Sequence, residues 1–267
     1  MPYVETSAGQ VYYAERGSGT PIVLLHANTH DHRDFDQVAE VLSATHRTIA
    51  VDWPGHGRSD PAQGRYASAM GFADVLAEIV DRLDLAQVVL IGNSVGGYAA
   101  ARLALDQPDR VAGLVLVNTG GFIEQNPISS AICRLLGRPA ITRRLLPRLV
   151  KGYMKPKNAF DREITERTAA VAATPAGAQV SAGVWRSFLA TDYDLSAEGP
   201  RLGAKVLLVW GAEDTILPLR AARQTQQAIP AATLHTFDTG HVVFASDPDG
   251  FLGVVEPFVA RVLEAAR

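Results

Sequence analysis

The stretch VVLIGNSVGGYAAARLALDQ, residues 88–107, decides the fold. It opens as a continuous apolar run and closes as a helix-favouring segment, and between them Gly92-Asn93-Ser94-Val95-Gly96 spells G-x-S-x-G. A serine on so short a strand-to-helix turn takes a strained backbone conformation, and glycines at the flanking positions let strand and helix approach. Ser94 is then lifted clear of the sheet as a candidate nucleophile. The N–H of Val95, first in the helix, points into the same space as a candidate oxyanion donor. Taken alone the motif is as readily chance as catalysis, so its surroundings carry the argument.

Outward from it, short runs rich in Val, Ile and Leu recur: VYYAE (11–15), PIVLL (21–25), TIAVDW (48–53), GLVLVN (113–118) and KVLLVWG (205–211). Continuous apolar character marks strands covered on both faces, as in a parallel sheet flanked by helices. Between the runs lie helical spacings. In SAMGFADVLAEIVDRLDL (68–85), Phe72, Val75, Leu76, Ile79, Val80 and Leu83 recur on one face with Asp and Glu on the other. The alternation predicts an α/β class with a mostly parallel, doubly wound sheet, and VETSAGQVYYAE (4–15) reads as an antiparallel hairpin at its edge. Between Phe122 and Ala197 no comparable strand run occurs. The helical pattern there, broken at Pro139, Pro147, Pro156 and Pro175, predicts a cap (lid) over 122–197 inserted into a core built from 1–121 and 198–267.

Composition narrows the partners. With 267 residues, 47% apolar and 20% charged, the chain can bury a large core, and a formal charge of −3 offers no overall basic excess for a phosphate backbone. Nucleic acid is therefore not an expected partner. Cys133 stands alone, which leaves no internal disulfide and no Cys-rich metal site. No apolar run approaches the ~18 residues of a membrane span, and the first residues lack the basic start and apolar core of a signal peptide. The expectation is a cytoplasmic protein acting on a small molecule, with neither cofactor nor membrane.

A serine nucleophile needs a base, and the base an orienting acid; in this architecture they follow in the order Ser, Asp/Glu, His. VLLVWGAEDTILP (206–218) puts Glu213 and Asp214 just past a buried strand, and LHTFDTGHVVF (234–244) puts His241 past the next. All three would emerge at the carboxyl edge of the sheet, where open α/β sheets build their sites.

Together the segments RGSGTPIVLLHAN, VDWPGHGRSD, GNSVGG, LALDQPDRVAGLVLVN, GAEDTILP and GHVVFASDP resemble the α/β-hydrolase fold superfamily nearly end to end. The resemblance implies a Ser94-Asp214-His241 triad, because the family pattern G-x-x-D-x-x-x-P falls on Gly211, Asp214 and Pro218; Glu213 is the runner-up. Some relatives carry the acid after the preceding strand, where this chain has Asn118 and Thr119. The strand entering the first loop ends in H-G-x in the family, which makes Asn28 the second oxyanion donor here, with Ala27 in the place of the usual glycine and itself an alternative donor. Serine rather than Asp as nucleophile argues against haloalkane dehalogenases and epoxide hydrolases. GNS and DWPGHG are similar to carbon–carbon bond hydrolases of aromatic degradation, whereas LVLVNTG is similar to enol-lactonases. Those carbon–carbon hydrolases carry Trp after the catalytic His, and this chain has Val242. Hydrolysis of a small ester or lactone therefore ranks first, with carbon–carbon hydrolysis or a cofactor-free perhydrolase as alternatives. A receptor that keeps the hydrolase fold is the alternative of another class.

Two further stretches admit two readings each. In HANTHDHRDF (26–35), His30, His32 and Asp34 spell H-x-H-x-D, most of a zinc-binding signature, but Phe35 stands where the next ligand should be. The favoured reading makes His26 a structural residue that holds the loop and sets His30 and His32 at the pocket mouth or in solvent. Asp52, His56, Arg58 and Asp60 read as a hydrogen-bonded loop, and Trp53 and Trp210 as packing. From Arg134 to Lys157 the chain carries Arg134, Arg138, Arg143, Arg144, Arg148, Lys151, Lys155 and Lys157 with no Asp or Glu. That run is a solvated helix face, or else it turns arginines toward the cleft to meet a substrate carboxylate.

Overall fold

In the computed structural model, which describes residues 2–265, eight strands form one sheet. They are β1 (Tyr3–Thr6), β2 (Gly9–Arg16), β3 (Pro21–Leu25), β4 (Arg47–Val51), β5 (Val88–Asn93), β6 (Val111–Val117), β7 (Lys205–Gly211) and β8 (Thr233–Phe237). Their order is β1-β2-β4-β3-β5-β6-β7-β8, antiparallel from β1 through β4 and parallel from β4 onward. The sheet is thus mostly parallel with an antiparallel hairpin at one edge, and the chain winds in opposite directions from β3, to β4 on one side and β5 on the other. Ligand crevices form at that kind of reversal, beyond the carboxyl ends of the strands.

Successive strand residues point to opposite faces, so each apolar run feeds two cores. Val23, Leu25, Val88, Leu90, Leu114 and Leu116 face one of them, with the helices α2 (Ala69–Arg82) and α3 (Val95–Asp106). Ile22, Leu24, Val89, Ile91, Val115 and Val117 face the other, with α1 (Asp36–Leu42), α9 (Val243–Ser246) and α10 (Pro248–Ala265). Ser68 caps α2 by accepting the Gly71 N–H, and the periodic residues Phe72, Val75, Leu76, Ile79 and Val80 are all buried. Burying one such side chain contributes about 1.5–3 kcal/mol, which explains why the continuous runs set the architecture. The helix α8 (Leu219–Ala228) packs Ala221 and Ala222 on Trp210, which is fully buried like Trp53.

Between β6 and β7 the chain forms α4 (Pro127–Leu136), α5 (Pro139–Met154), α6 (Ala159–Ala173) and α7 (Pro175–Ser187). Pro139 and Pro175 sit in the first turns of their helices, and Pro156 follows the left-handed Lys155 that ends α5. Pro147 departs from expectation: α5 runs through it unbroken. Proline removes one ladder hydrogen bond. Leu146, Val150, Tyr153 and Met154, all buried, keep the helix docked on both sides of it. Among the described residues no helix is long and apolar enough to cross a membrane.

Candidate active site

The turn from β5 into α3 holds Ser94 at φ 57° and ψ −114°, a region that side-chain-bearing residues rarely occupy. Neighbouring structure fixes it there: the Ser94 N–H donates to Val117 O (3.0 Å), and the Gly97 and Tyr98 N–H groups donate to Ser94 O (3.1 and 3.2 Å). The glycines of the motif are steric requirements. A Cβ on Gly92 would lie 2.4 Å from Gly96 O, and one on Gly96 would lie 2.3 Å from Leu25 O. The Val95 N–H begins α3 and so has no intrahelical acceptor. Asn93 Nδ2 donates to Val117 O (3.0 Å) and His241 O (3.1 Å), tying the end of β5 to the histidine loop.

Asp214 and His241 are both buried, and His241 Nδ1 lies 2.6 Å from Asp214 Oδ2. The carboxylate assigns the proton to Nδ1, which leaves the Nε2 lone pair free to accept. Asp214 is itself held: Oδ1 accepts the N–H groups of Ile216 (2.8 Å) and Leu217 (3.1 Å), and Oδ2 accepts Asn118 Nδ2 (2.7 Å). Asn118 is fixed in turn by the Gly211 N–H, which donates to its Oδ1 at 3.0 Å. Glu213, the runner-up, is exposed and pairs with Lys157 Nζ (2.7 Å) instead. The end of α5 supports the histidine loop. The His241 N–H donates to Tyr153 O (3.2 Å), and the Tyr153 ring meets the imidazole edge-on at 5.2 Å.

Ser94 and His241 open together onto a cavity of about 330 Å³ between the carboxyl edge of the sheet and the inserted helices. Its walls are largely apolar, with Ile123, Ile132, Leu146, Trp185, Phe188 and Leu217 contributing. Asn28 lines it too, its Nδ2 donating to Ser181 Oγ on α7 at 2.9 Å. The Asn28 backbone N–H meets no protein acceptor among the described residues, as an oxyanion donor requires. Ala27, the alternative donor, lies on the same wall.

Two buried histidines brace that loop in their neutral form. His26 Nδ1 donates to Ala27 O (2.6 Å) and Nε2 accepts the Trp53 N–H (3.1 Å), and burial holds its pKa below the ordinary value. His56 Nδ1 donates to Pro54 O (3.1 Å) and Nε2 accepts the Thr29 N–H (3.1 Å). Burial, reinforced by His26, pushes its pKa down to about 3. His30 and His32 are buried as well, not at a pocket mouth or in solvent as the sequence suggested. His30 Nδ1 bonds Asp34, and His32 Nδ1 lies 2.9 Å from Asp52. Arg167 of α6 reaches in to Asp34 (2.7 Å) and Asp31 (3.2 Å), which covers this polar layer with a helix that local sequence could not foresee. Burial opposes the charge on Asp31, yet its bonds to Arg33 and the Arg167 guanidinium hold its carboxyl well below the usual carboxylate range.

The H-x-H-x-D residues therefore do not converge. The group that does, Asp31, His32 and Asp52, brings its donor atoms within 4.8 Å of one another. Its carboxylates are already engaged, Asp31 by two arginines and Asp52 by His32 and the Arg58 N–H. Nor do the cap cations face the cleft. The cation on the cavity wall, among the described residues, is Arg220 of α8, which carried no signal in a polar helix. Tyr153 and Ser181 were equally silent, since each acts through a partner distant in sequence, and Asn118 stands where some relatives carry the acid, which did not foretell its bond to Asp214.

Residues 20–248 match the family described as alpha/beta hydrolase fold. Among curated relatives, a 2-hydroxy-6-oxononadienedioate/2-hydroxy-6-oxononatrienedioate hydrolase of Escherichia coli is 27% identical, covering 94% of this chain and 91% of its own. Two solved structures superpose over nearly the whole length. An N-acyl homoserine lactone degrading enzyme has a TM-score of 0.80 at 26% identity, over 96% of this chain and 100% of its own. A thermophilic esterase of Thermogutta terrifontis has a TM-score of 0.82 at 25% identity, over 97% and 98%.

Proposed function

This chain belongs to the alpha/beta hydrolase fold family, and from that premise we propose that it hydrolyses a small carboxylic ester or lactone through an acyl-enzyme on Ser94. The observation that carries the reading is the relay Asn118–Asp214–His241, at 2.7 and 2.6 Å, ending on the cavity that Ser94 enters. His241 Nε2 takes the hydroxyl proton as Ser94 Oγ attacks the carbonyl carbon. Asp214 keeps the imidazole in the accepting tautomer and stabilises the imidazolium that forms. The N–H groups of Val95 and Asn28 receive the oxyanion, worth about 10²–10³ in rate for each donor. Protonated His241 then hands its proton to the leaving oxygen, and water, activated by the same base, releases the acid. Residues 122–197 act as the cap that selects the acyl group.

The apolar walls favour a neutral substrate, and the charges among the lining residues are one of each sign, Arg220 and Glu124. Carbon–carbon hydrolysis is the second reading, supported by the Escherichia coli relative. That relative is named for a dioate, which would set two carboxylates against Arg220, the one cation lining the cavity among the described residues, and Val242 follows the histidine here. The test is a hydrolysis screen of short p-nitrophenyl esters, lactones and vinylogous diketones. The expected result is turnover of esters or lactones that Ser94→Ala lowers by on the order of 10⁴–10⁶. Turnover of the diketone alone would transfer the proposal to carbon–carbon cleavage, and single-turnover labelling without hydrolysis would favour a receptor.

A further inference from the structure

We propose that the exposed face of α4 and α5, which reaches the rim of the active-site cavity at Ile132, docks on anionic lipid bilayers. Among the described residues, the exposed large apolar side chains are Ile128 (74% exposed), Ile132 and Leu135 on α4, Leu145 and Leu149 on α5, and only Tyr3 and Val41 elsewhere. Positions 128, 132 and 135 fall on one stripe of α4, as 145 and 149 do on α5.

The charges on the same two helices are as one-sided. Arg134, Arg138, Arg143, Arg144, Arg148 and Lys151 are all exposed. None of them forms an ion pair among the described residues, a state they share with scattered cations such as Arg58, Arg162 and Arg223. Four of the six line a groove against Ala169 and Ala170 of α6, in which Glu166 is the one carboxylate among the described residues. Glu124 is the acidic residue just ahead of α4. Open Ile and Leu beside unpaired Arg and Lys is the composition by which a helix lies in the headgroup layer of an anionic bilayer. A second copy of this chain fits less well, because a two-fold contact would lay this patch on itself and set cation against cation. Docking would also present the active-site cavity, since Ser129 and Ile132 of α4 form part of its wall.

The full-length protein is sedimented with vesicles of phosphatidylcholine, with and without phosphatidylglycerol, across a salt series. Binding is expected only with phosphatidylglycerol and should weaken as salt rises. Each basic residue near such a surface strengthens partition by roughly fivefold, so Arg144→Gln/Arg148→Gln/Lys151→Gln should weaken it on the order of a hundredfold. Ile128→Ser/Leu135→Ser should weaken it about tenfold, from the apolar area no longer buried. Both variants should keep the wild-type circular dichroism spectrum, which separates lost docking from lost folding. No binding at low salt, equal binding to both vesicle types, or variants that bind as the wild type does would overturn the proposal. So would a dimer by light scattering that Ile128→Ser/Leu135→Ser dissociates, because the face would then belong to a second copy.

Discussion

Asn118 shows how much of this site rests on one residue that performs no chemistry. Its amide donates to Asp214 and its carbonyl oxygen accepts from the next strand, so it holds Asp214 Oδ2 against His241 Nδ1. Losing a buried hydrogen bond to a charged group costs about 1.5–3 kcal/mol, so Asn118→Ala should lower kcat roughly ten- to hundredfold with KM little changed. In Asp214→Asn the acid is gone, and adding Asn118→Asp should recover part of the rate, because Asn118 reaches the same Asp214 oxygen that His241 Nδ1 meets. A double variant no better than Asp214→Asn would show that the acid works only from β7. Glu213→Gln should keep near wild-type activity, since it breaks only an exposed pair with Lys157. Ser94 also carries strain, at φ 57°, of about 1–3 kcal/mol. Ser94→Gly should therefore abolish activity while raising the midpoint of thermal unfolding, a trade between stability and function at a single position.

Elements differ in how much of them local sequence can carry. The buried strands and the β5–α3 turn were legible because their causes are local: continuous apolar runs, and glycines with no room for a Cβ. Gly96→Ala should accordingly destabilise by about 1–3 kcal/mol or more, because its Cβ would meet the carbonyl of Leu25, a backbone atom that cannot rotate away. A chemical denaturation series on that variant measures it, and an unchanged midpoint would contradict the steric account. Pro147 and the pair His30 and His32 were misread for the opposite reason. Their settings depend on how α5 and α6 lie over the core, and tertiary contacts outweighed the local rule. The expectation that no membrane is involved rests on spanning length alone, which a docked surface does not need, and the vesicle experiment is its test.

At the scale of the whole molecule, the buried histidines that brace the loop of residues 27–29 couple stability to pH. His26 and His56 are neutral in the folded protein because burial depresses their pKa values, that of His56 to about 3. The unfolded chain takes up these protons near ~6.5. Their stabilisation is thus complete above that value and is lost as pH falls toward 3, at up to about 1.4 kcal/mol per pH unit for each group. Asp31, held ionised by Arg33 and Arg167, adds to the loss at the acid end. The thermal midpoint should fall steadily below about pH 6.5, and His56→Gln, which cannot titrate, should flatten that slope. Ser94 as an activated nucleophile is tested most directly by intact-protein mass spectrometry after brief exposure to a fluorophosphonate. One adduct per chain is expected, mapped to Ser94, absent from Ser94→Ala and strongly slowed in His241→Ala. An unlabelled wild-type protein, or a Ser94→Ala variant that labels as fast as the wild type, would contradict it.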